Sequence, residues 1–336
     1  MKRWAMGFLT AGLVLSVLGC GGDSKKAVES KIHVGLVFDV GGLGDKSFND
    51  SAHQGLLRAR DELGVSFVYL EPGEGSDREE ALRMMATGDA DIIFGIGFLF
   101  TDDITNVANE FPDKKFACVD YAVKDDSPLP ENLAAIKFRE EEGSFLAGAL
   151  AAMVSKTDAV GFIGGMEGAL IRKFEKGFAA GARHIRPGIR VLVNYAGVTG
   201  AAFKNPSMGK ELALAQYDSG ADIIFHASGG TGLGVFEAAR SRDLLAIGVD
   251  SDQWGEAPGH VLTSVLKRVD VAVFKVIQRT LNDDFPQGIQ IFGLADGAVS
   301  LVIDKNNRQW ITPEVEQRLR ALENEIVKGI IKVPSS

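Results

Sequence analysis

Cysteine is scarce in this sequence of 336 residues, which contains only Cys20 and Cys118. Cys118 lies in a short apolar run, residues 115–120, that predicts a β-strand. We therefore interpret Cys118 as a small buried apolar side chain without a chemical role. If Cys20 is used elsewhere, Cys118 has no disulfide partner, so the sequence does not predict a fold held by disulfides.

Histidine is also scarce, and the five histidines are scattered along the chain without a pair at metal-ligand spacing. The Gly-x-Ser-x-Gly motif that presents a nucleophilic serine is absent as well. The pattern predicts no metal site and no catalytic constellation. We therefore expect that the protein is not an enzyme.

Two glycine-rich segments lack the spacing of nucleotide-binding motifs. Residues 41–47 are like a phosphate-binding loop, but Asp45 stands where that loop requires a glycine before Lys46. Residues 228–234 contain no Gly-x-Gly-x-x-Gly frame, which disfavours a dinucleotide, so we expect no cofactor. The backbone amides of the second segment could still bind oxygen atoms of a ligand at the start of a helix.

Basic residues are outnumbered by acidic ones, 36 against 45, which gives a formal net charge of −9. This charge repels phosphate backbones, so a nucleic-acid partner is not expected. Apolar residues make up 46% and charged residues 24%, as in ordinary globular proteins. The length predicts two domains, each with its own core.

The N-terminal segment has the pattern of an export signal. Lys2 and Arg3 precede an apolar stretch, residues 4–18, that is too short to span a bilayer comfortably. It ends in Val-Leu-Gly-Cys at Cys20, and a polar tether (residues 21–30) follows. This arrangement resembles the bacterial lipoprotein signal, whose cysteine is diacylated. The resemblance implies a signal peptide over residues 1–20 and a membrane-anchored, exported protein; the alternative is a conventionally cleaved peptide in which Cys20 is incidental.

The rest of the chain contains an internal repeat. The sequence Ala-Asp-Ile-Ile-Phe occurs at residues 90–94 and again at 221–225, and each copy leads through a helical segment to a strand that ends in aspartate, Asp120 or Asp250. Alternating helices and apolar strands predict an α/β fold of two doubly wound parallel-sheet lobes. We expect a three-segment hinge, with crossings near residues 136–139, 250–256 and 285–292. The predicted first lobe is residues 31–137 plus 252–287, and the second is residues 138–251 plus 288–336.

Polar residues follow the predicted strands, where ligands of such sheets bind. Asp39, Asp120 and Asp250 end strands, and Gly229 and Gly230 follow another. Two facing lobes with such polar residues at the ends of their strands predict a binding cleft between them. Phe48 lies near this rim, but helical spacing alone leaves it equally well explained as a core residue.

Several motifs together resemble the basic membrane protein family of ABC-transporter substrate-binding lipoproteins, of the purine nucleoside receptor type. They are the leader, residues 45–49 (Asp-Lys-Ser-Phe-Asn), 229–232 (Gly-Gly-Thr-Gly), 248–253 (Gly-Val-Asp-Ser-Asp-Gln) and 263–270 (Thr-Ser-Val-Leu-Lys-Arg-Val-Asp). The similarity covers about residues 31–333. It implies a type I periplasmic binding protein that captures a purine nucleoside by lobe closure and delivers it to an ABC permease. We expect the protein to be a monomer.

The resemblance also implies roles for individual residues. Phe48 and Phe203 would stack on the base, which Asn49 and Asp120 would also contact. Asp250 and Lys267 would bind the ribose. Asp39 and the amides of Gly229 and Gly230 would line the same cleft.

The charge of the predicted site favours an uncharged ligand, because three strand-end carboxylates and only one lysine would repel a phosphate group. The sequence therefore predicts a preference for nucleosides over nucleotides. Two alternatives stay open. One is a sugar or autoinducer binding protein of the same fold, and the other is an exported nucleoside hydrolase in which the acidic rim is catalytic.

Overall fold

A computed structural model of the protein describes residues 32–72, 77–123 and 128–335, which form two α/β lobes. The predicted signal peptide (residues 1–20), with Cys20, and the predicted tether (residues 21–30) lie outside the described residues. Among the described residues, no helix is both long and apolar enough to cross a membrane. Cys118 is buried and free, as its apolar surroundings predict.

The first lobe is built on a parallel sheet. Its strands are β1 (His33–Val37), β2 (Ser66–Leu70), β3 (Ile92–Ile96), β4 (Lys115–Val119) and β5 (Leu133–Phe138), joined by a late strand, β11 (Gly288–Phe292). The order across the sheet is β11-β5-β4-β3-β1-β2, and every pairing is parallel. The central strand β3 is buried at every position, which explains its continuous run of apolar residues.

The second lobe repeats this topology. Its strands are β6 (Ala159–Met166), β7 (Arg190–Gly197), β8 (Ile223–Ala227), β9 (Leu245–Asp250), β10 (Val261–Lys267) and β12 (Val299–Leu301). Their order, β12-β10-β9-β8-β6-β7, matches that of the first sheet position by position, except that β12 runs antiparallel to β10. The predicted repeat and the predicted fold class are therefore confirmed.

Helices cover both faces of each sheet. In chain order they are α1 (Phe48–Leu63), α2 (Arg78–Thr87), α3 (Thr101–Glu110), α4 (Glu140–Val154), α5 (Ala169–Ile185), α6 (Pro206–Asp218), α7 (Gly232–Arg242), α8 (Val269–Leu281) and α9 (Pro313–Val327). Two helices pack on the lobe opposite to the strand that precedes them. Helix α4 follows β5 but packs on α5, and α8 follows β10 but packs on α1.

The chain therefore crosses between the lobes at three places: between β5 and α4, between β10 and α8, and between β11 and β12. Only the first of these agrees with a predicted crossing, near residues 136–139. The predicted division placed residues 252–287 in the first lobe and 288–336 in the second. Strand β10 instead pairs with β9 in the second sheet, and β11 pairs with β5 in the first. Both corrections have one cause: apolar spacing identifies a strand, but backbone pairing decides its sheet.

Candidate functional site

A cavity lies between the lobes at the carboxyl ends of the parallel strands, where open α/β sheets bind ligands. Counted with the open space at its mouth, it has an empty volume of about 560 Å³. The first lobe contributes the residues after β1, β3 and β4, and the second lobe those after β8 and β9. Seven of the predicted site residues line it: Asp39, Phe48, Asn49, Asp120, Phe203, Asp250 and Lys267.

Gly230 is the predicted site residue that is not among those lining the cavity, whereas its neighbour Gly229 is. Both glycines begin a short helical turn that leads into α7. The structure thus places the predicted glycine segment at the cavity, but the residue that lines the cavity is Gly229 and not Gly230.

Phenylalanine rings from both lobes face the cavity. Phe48 begins α1 in the first lobe, and Phe203 ends a short helical turn (Gly200–Phe203) in the second. Phe98, two residues after the end of β3, meets Phe203 edge to face, with ring centroids 6.3 Å apart and an interplanar angle of 74°. The Phe203 ring also lies against Gly165, where a Cβ atom would be 2.2 Å from Cε1 of the ring. A side chain at Gly165 would therefore displace the ring.

The two repeated aspartates have the same unusual backbone. Asp120 follows β4 and Asp250 ends β9, and both are left-handed, with φ of 64° and 66°. Residues other than glycine adopt this conformation at a cost, and it recurs at functional sites. Both carboxylates are buried. Asp250 accepts a hydrogen bond from the hydroxyl of Ser47, whereas Oδ1 of Asp120 is buried without a hydrogen-bond partner among the described residues.

Lys267 joins the two lobes beneath the cavity. Its Nζ donates to Oδ2 of Asp120 at 2.6 Å and lies 3.1 Å from Oε1 of Glu140. Burial alone would lower the pKa of Lys267, but the two carboxylates outweigh it and raise that pKa. The ammonium group also lies 5.2 Å from the centroid of the Phe48 ring, which favours its charged form. Among the described residues its only hydrogen bond is to Asp120, so Lys267 is a buried cation that keeps a free N–H for a ligand.

This contact qualifies the roles that the family resemblance implied. Lys267 was assigned to the ribose and Asp120 to the base, yet the two side chains are in direct contact. They would therefore meet neighbouring groups of one ligand and not its opposite ends. Glu140, which completes the cluster from the start of α4, was not foreseen. Its only sequence signal is its position just after the predicted first crossing.

Asn49 is held by two aspartates and connects them. Its Oδ1 accepts from the backbone N–H of Asp39 at 3.0 Å, and its Nδ2 donates to Oδ2 of Asp45 at 3.0 Å. Asp45 also accepts from the backbone N–H groups of Ser47 and Asn49, so it caps the start of α1. Asn49 keeps one N–H for a ligand, and Asp45 lines the cavity beside it.

Burial dominates the electrostatics of the remaining carboxylates. Desolvation raises the pKa of Asp39 to about 7, and it does the same for Asp250 despite the opposing effects of Lys267 and Ser47. Gly97 explains how Asp39 fits: a Cβ atom there would lie 2.1 Å from Oδ2 of Asp39, and Gly97 has φ of 116°. The described residues contain no group of three His, Cys, Asp or Glu side chains arranged to hold a metal ion.

The geometry is thus that of a closed cleft that can stack an aromatic ligand and satisfy its polar edge. Over residues 32–336 the chain matches the Bmp family model, described as ABC transporter substrate-binding protein PnrA-like. The chain belongs to the Bmp family. The predicted family resemblance is therefore confirmed.

Relatives across the Bmp family are similar along nearly their whole length. A CD4+ T-cell-stimulating antigen of Listeria innocua is 38% identical, over 97% of this chain and 96% of the relative. The ABC transporter nucleoside-binding protein BmpA of Lactococcus lactis is 32% identical, over 92% and 90%. Basic membrane protein A1 of Borrelia garinii is 34% identical, over 94% and 92%.

Solved structures agree with this assignment. An ABC transporter solute-binding protein from Aeropyrum pernix K1 superposes with a TM-score of 0.82 at 28% identity, over 91% of this chain and 94% of that one. The glucose-galactose binding protein GanP of Geobacillus stearothermophilus (TM-score 0.60, 18% identity, 81% and 96% covered) shares the fold alone. The Bmp-family chain is therefore a substrate-binding protein of an ABC transporter with a type I periplasmic binding protein fold.

Proposed function

We propose that this Bmp-family protein binds a purine nucleoside between its lobes and delivers it to an ABC importer, without catalysing a reaction. The observation that carries the proposal is one cavity that combines phenylalanine rings from both lobes with a buried, unpartnered carboxylate oxygen on Asp120. The printed name of the Lactococcus relative, a nucleoside-binding protein, supports the same ligand class.

The rings supply the first part of recognition. Phe48 and Phe203 approach the cavity from opposite lobes, so a flat base placed between them is stacked only when the lobes are closed. Stacking of a base on an aromatic side chain contributes about 1 to 3 kcal/mol. Micromolar affinity requires about −8 kcal/mol. Polar contacts must therefore provide a large share of the binding free energy.

Hydrogen-bond acceptors supply the second part. Oδ1 of Asp120 would accept an N–H of the base, since a buried carboxylate oxygen without a donor is costly. Asp250 and Asp39 would accept from ribose hydroxyls, and the free N–H of Lys267 would donate to the ligand beside Asp120. Because these groups all belong to one chain, a monomer forms a complete site.

Binding of nucleosides by the purified protein tests this function. We expect calorimetry to rank a purine nucleoside first, the free base weaker because it lacks the ribose contacts, and the 5′-monophosphate weakest because its charge meets Asp39, Asp120 and Asp250. Phe203→Ala should weaken nucleoside binding by about 1 to 3 kcal/mol, or about 5- to more than 100-fold. Phe111→Ala is the matched control, because Phe111 is a half-buried phenylalanine outside the cavity.

Other results would contradict the assignment. Tight binding of sugars with none of nucleosides would favour a sugar-binding protein, and release of free base from inosine would favour a hydrolase. Unchanged affinity of Phe203→Ala, with a large loss of melting temperature, would make Phe203 a core residue. If the monophosphate binds as tightly as the nucleoside, the acidic residues of the site do not select against phosphate, and that part of the proposal is wrong.

We also propose that the protein is anchored to the membrane by a lipid on Cys20, on the evidence of the N-terminal sequence. Cys20→Ala should abolish incorporation of a labelled fatty acid and leave an uncleaved or non-anchored protein. The matched control is Cys118→Ala, since Cys118 is buried in β4. Labelling that survives Cys20→Ala would refute the lipid anchor while leaving the ligand proposal intact.

A further inference from the structure

A second cavity opens beside the ligand cavity, on the side of Asp120. Four residues line both cavities: Phe98, Asp120, Leu170 and Ile171. Beyond them the second cavity is mostly apolar. Its further lining includes Val123, Phe138, Ala169, Lys137 and Ser335, and the ion pair of Glu140 with Lys173.

The internal repeat explains why this space exists. In the first lobe the connection from β1 to α1 is long (residues 38–47), and it fills the region next to Asp250 of the second lobe. The corresponding connection from β6 to α5 in the second lobe is only residues 167–168. Among the described residues, this shorter connection does not fill the equivalent region next to Asp120. The second cavity is the space that the shorter connection leaves.

The hydrogen bonds of the two equivalent aspartates show the same asymmetry. The long connection brings Ser47 to Asp250, whose carboxylate accepts from the Ser47 hydroxyl. The short connection supplies no such donor to Asp120, and Oδ1 of Asp120 is buried without a partner while the residue is only 6% exposed. A hydrogen-bond donor of the ligand that contacts Asp120 would therefore lie where the two cavities meet, next to the mostly apolar second cavity.

We propose that the second cavity receives a substituent carried by an exocyclic amine of the base, so that the protein also binds N-alkylated purine nucleosides. This inference rests on the proposed function. An alkylated amine keeps one N–H for Oδ1 of Asp120, and its apolar group enters the mostly apolar second cavity. At the other end of the ligand, the longer connection over residues 38–47 lies against Asp250, so bulk on the ribose would meet it.

Calorimetry with paired ligands tests the proposal on the full-length protein in detergent. The pairs are adenosine with N6-benzyladenosine, and guanosine with N2-benzylguanosine; 2′,3′-O-isopropylidene adenosine carries its bulk on the ribose instead. For the parent that binds, we expect its benzyl analogue to bind within about tenfold. The isopropylidene compound should lose at least about 100-fold, because it cannot donate to the ribose acceptors and lacks space.

Filling the second cavity should weaken binding of the benzyl analogue much more than binding of the parent nucleoside. Ala169→Trp places an indole at the exposed start of α5, in the second cavity but outside the first, and Val123→Trp does so from the opposite lobe. Each should weaken binding of the benzyl analogue at least about tenfold and leave the parent within about threefold. Ala215→Trp, on an exposed position of α6 outside both cavities, should change neither.

The outcomes are distinguishable. If neither parent nucleoside binds, the proposed function fails and this inference fails with it. If a parent binds but its benzyl analogue loses more than about 100-fold, the substituent has no room and the inference alone is overturned. Analogue binding that neither tryptophan variant weakens, in proteins with normal melting temperatures, also overturns it, because the substituent then lies elsewhere.

Discussion

Asp39 is a buried acid whose pKa lies well above that of an exposed aspartate. It follows β1, its carboxylate accepts from the backbone N–H of Val40 at 2.8 Å, and Gly97 leaves room for the second oxygen. Because burial raises its pKa from 3.8 to about 7, the folded protein holds a proton there that the unfolded chain releases. The stabilising effect of this proton is complete below pH 3.8 and is lost as the pH rises through about 7.

The unliganded protein should therefore lose stability between pH 4 and pH 7 through Asp39, by at most about 4 kcal/mol. Asp39→Asn keeps an acceptor for Val40 but cannot titrate, so its free energy of unfolding should depend less steeply on pH. Asp89→Asn, at an exposed position, is the control. Denaturant unfolding of the three proteins at several pH values measures the difference, and parallel pH profiles for all three would contradict the assignment.

Sequence patterns at the residue scale located the acids better than their partners. Asp39, Asp120 and Asp250 were predicted from one fact, that polar residues end apolar strands, and the structure brings all three to one cavity. The partnership of Lys267 with Glu140 could not be predicted, because the two residues meet only through the crossing of the chain between lobes. Phe98 was not among the predicted site residues, because a phenylalanine after a buried strand looks the same in sequence whether it faces a core or a cleft.

At the element scale, the internal repeat could be predicted from the sequence, but the exchange of strands and helices between the lobes could not. Strands β3 and β8 carry matching apolar sequences, and their central places in the two sheets follow from that. Strands β10 and β11 lie in segments that were each assigned to the wrong lobe. The spacing of apolar residues indicates which face of a strand is buried. It does not indicate which sheet the strand joins, because that depends on which neighbouring strand it pairs with.

The buried ion cluster stands where that exchange takes place. Asp120 follows β4, Lys267 ends β10, Glu140 begins α4 and Lys173 lies on α5, so the cluster links elements of both lobes at the first crossing. Burying such charges is costly unless each is paired, and removing one partner leaves another uncompensated. The cluster therefore favours one arrangement of the crossing. We interpret it as a fixed base beneath the cavity and not as a mobile part of it.

At the scale of the whole molecule, the lobes are closed and hydrogen-bonded to each other opposite that cluster. The hydroxyl of Ser47, in the first lobe, donates to Asp250, and Nε2 of Gln253, in the second lobe, donates to the carbonyl oxygen of Lys46 at 3.0 Å. Gln253 is itself held by the backbone N–H of Val249 and by buried His226, whose pKa burial lowers to about 4. These hydrogen bonds join the two lobes directly, so they favour the closed state.

Ser47→Ala should shift the protein towards the open state, because it removes a donor that Asp250 meets only on closure. The loss is about 1 to 3 kcal/mol, since a buried carboxylate loses a partner, which predicts nucleoside dissociation about 5- to 150-fold faster. Small-angle scattering should also show a larger radius of gyration for the unliganded variant than for the wild type. Ser241→Ala is the control, because the Ser241 hydroxyl bonds only to Ala238 of its own helix. Each lobe keeps its own core in the Ser47 variant, so faster dissociation with an unchanged melting temperature would locate the effect in closure. An unchanged dissociation rate and radius would show that the contact between Ser47 and Asp250 does not hold the lobes together.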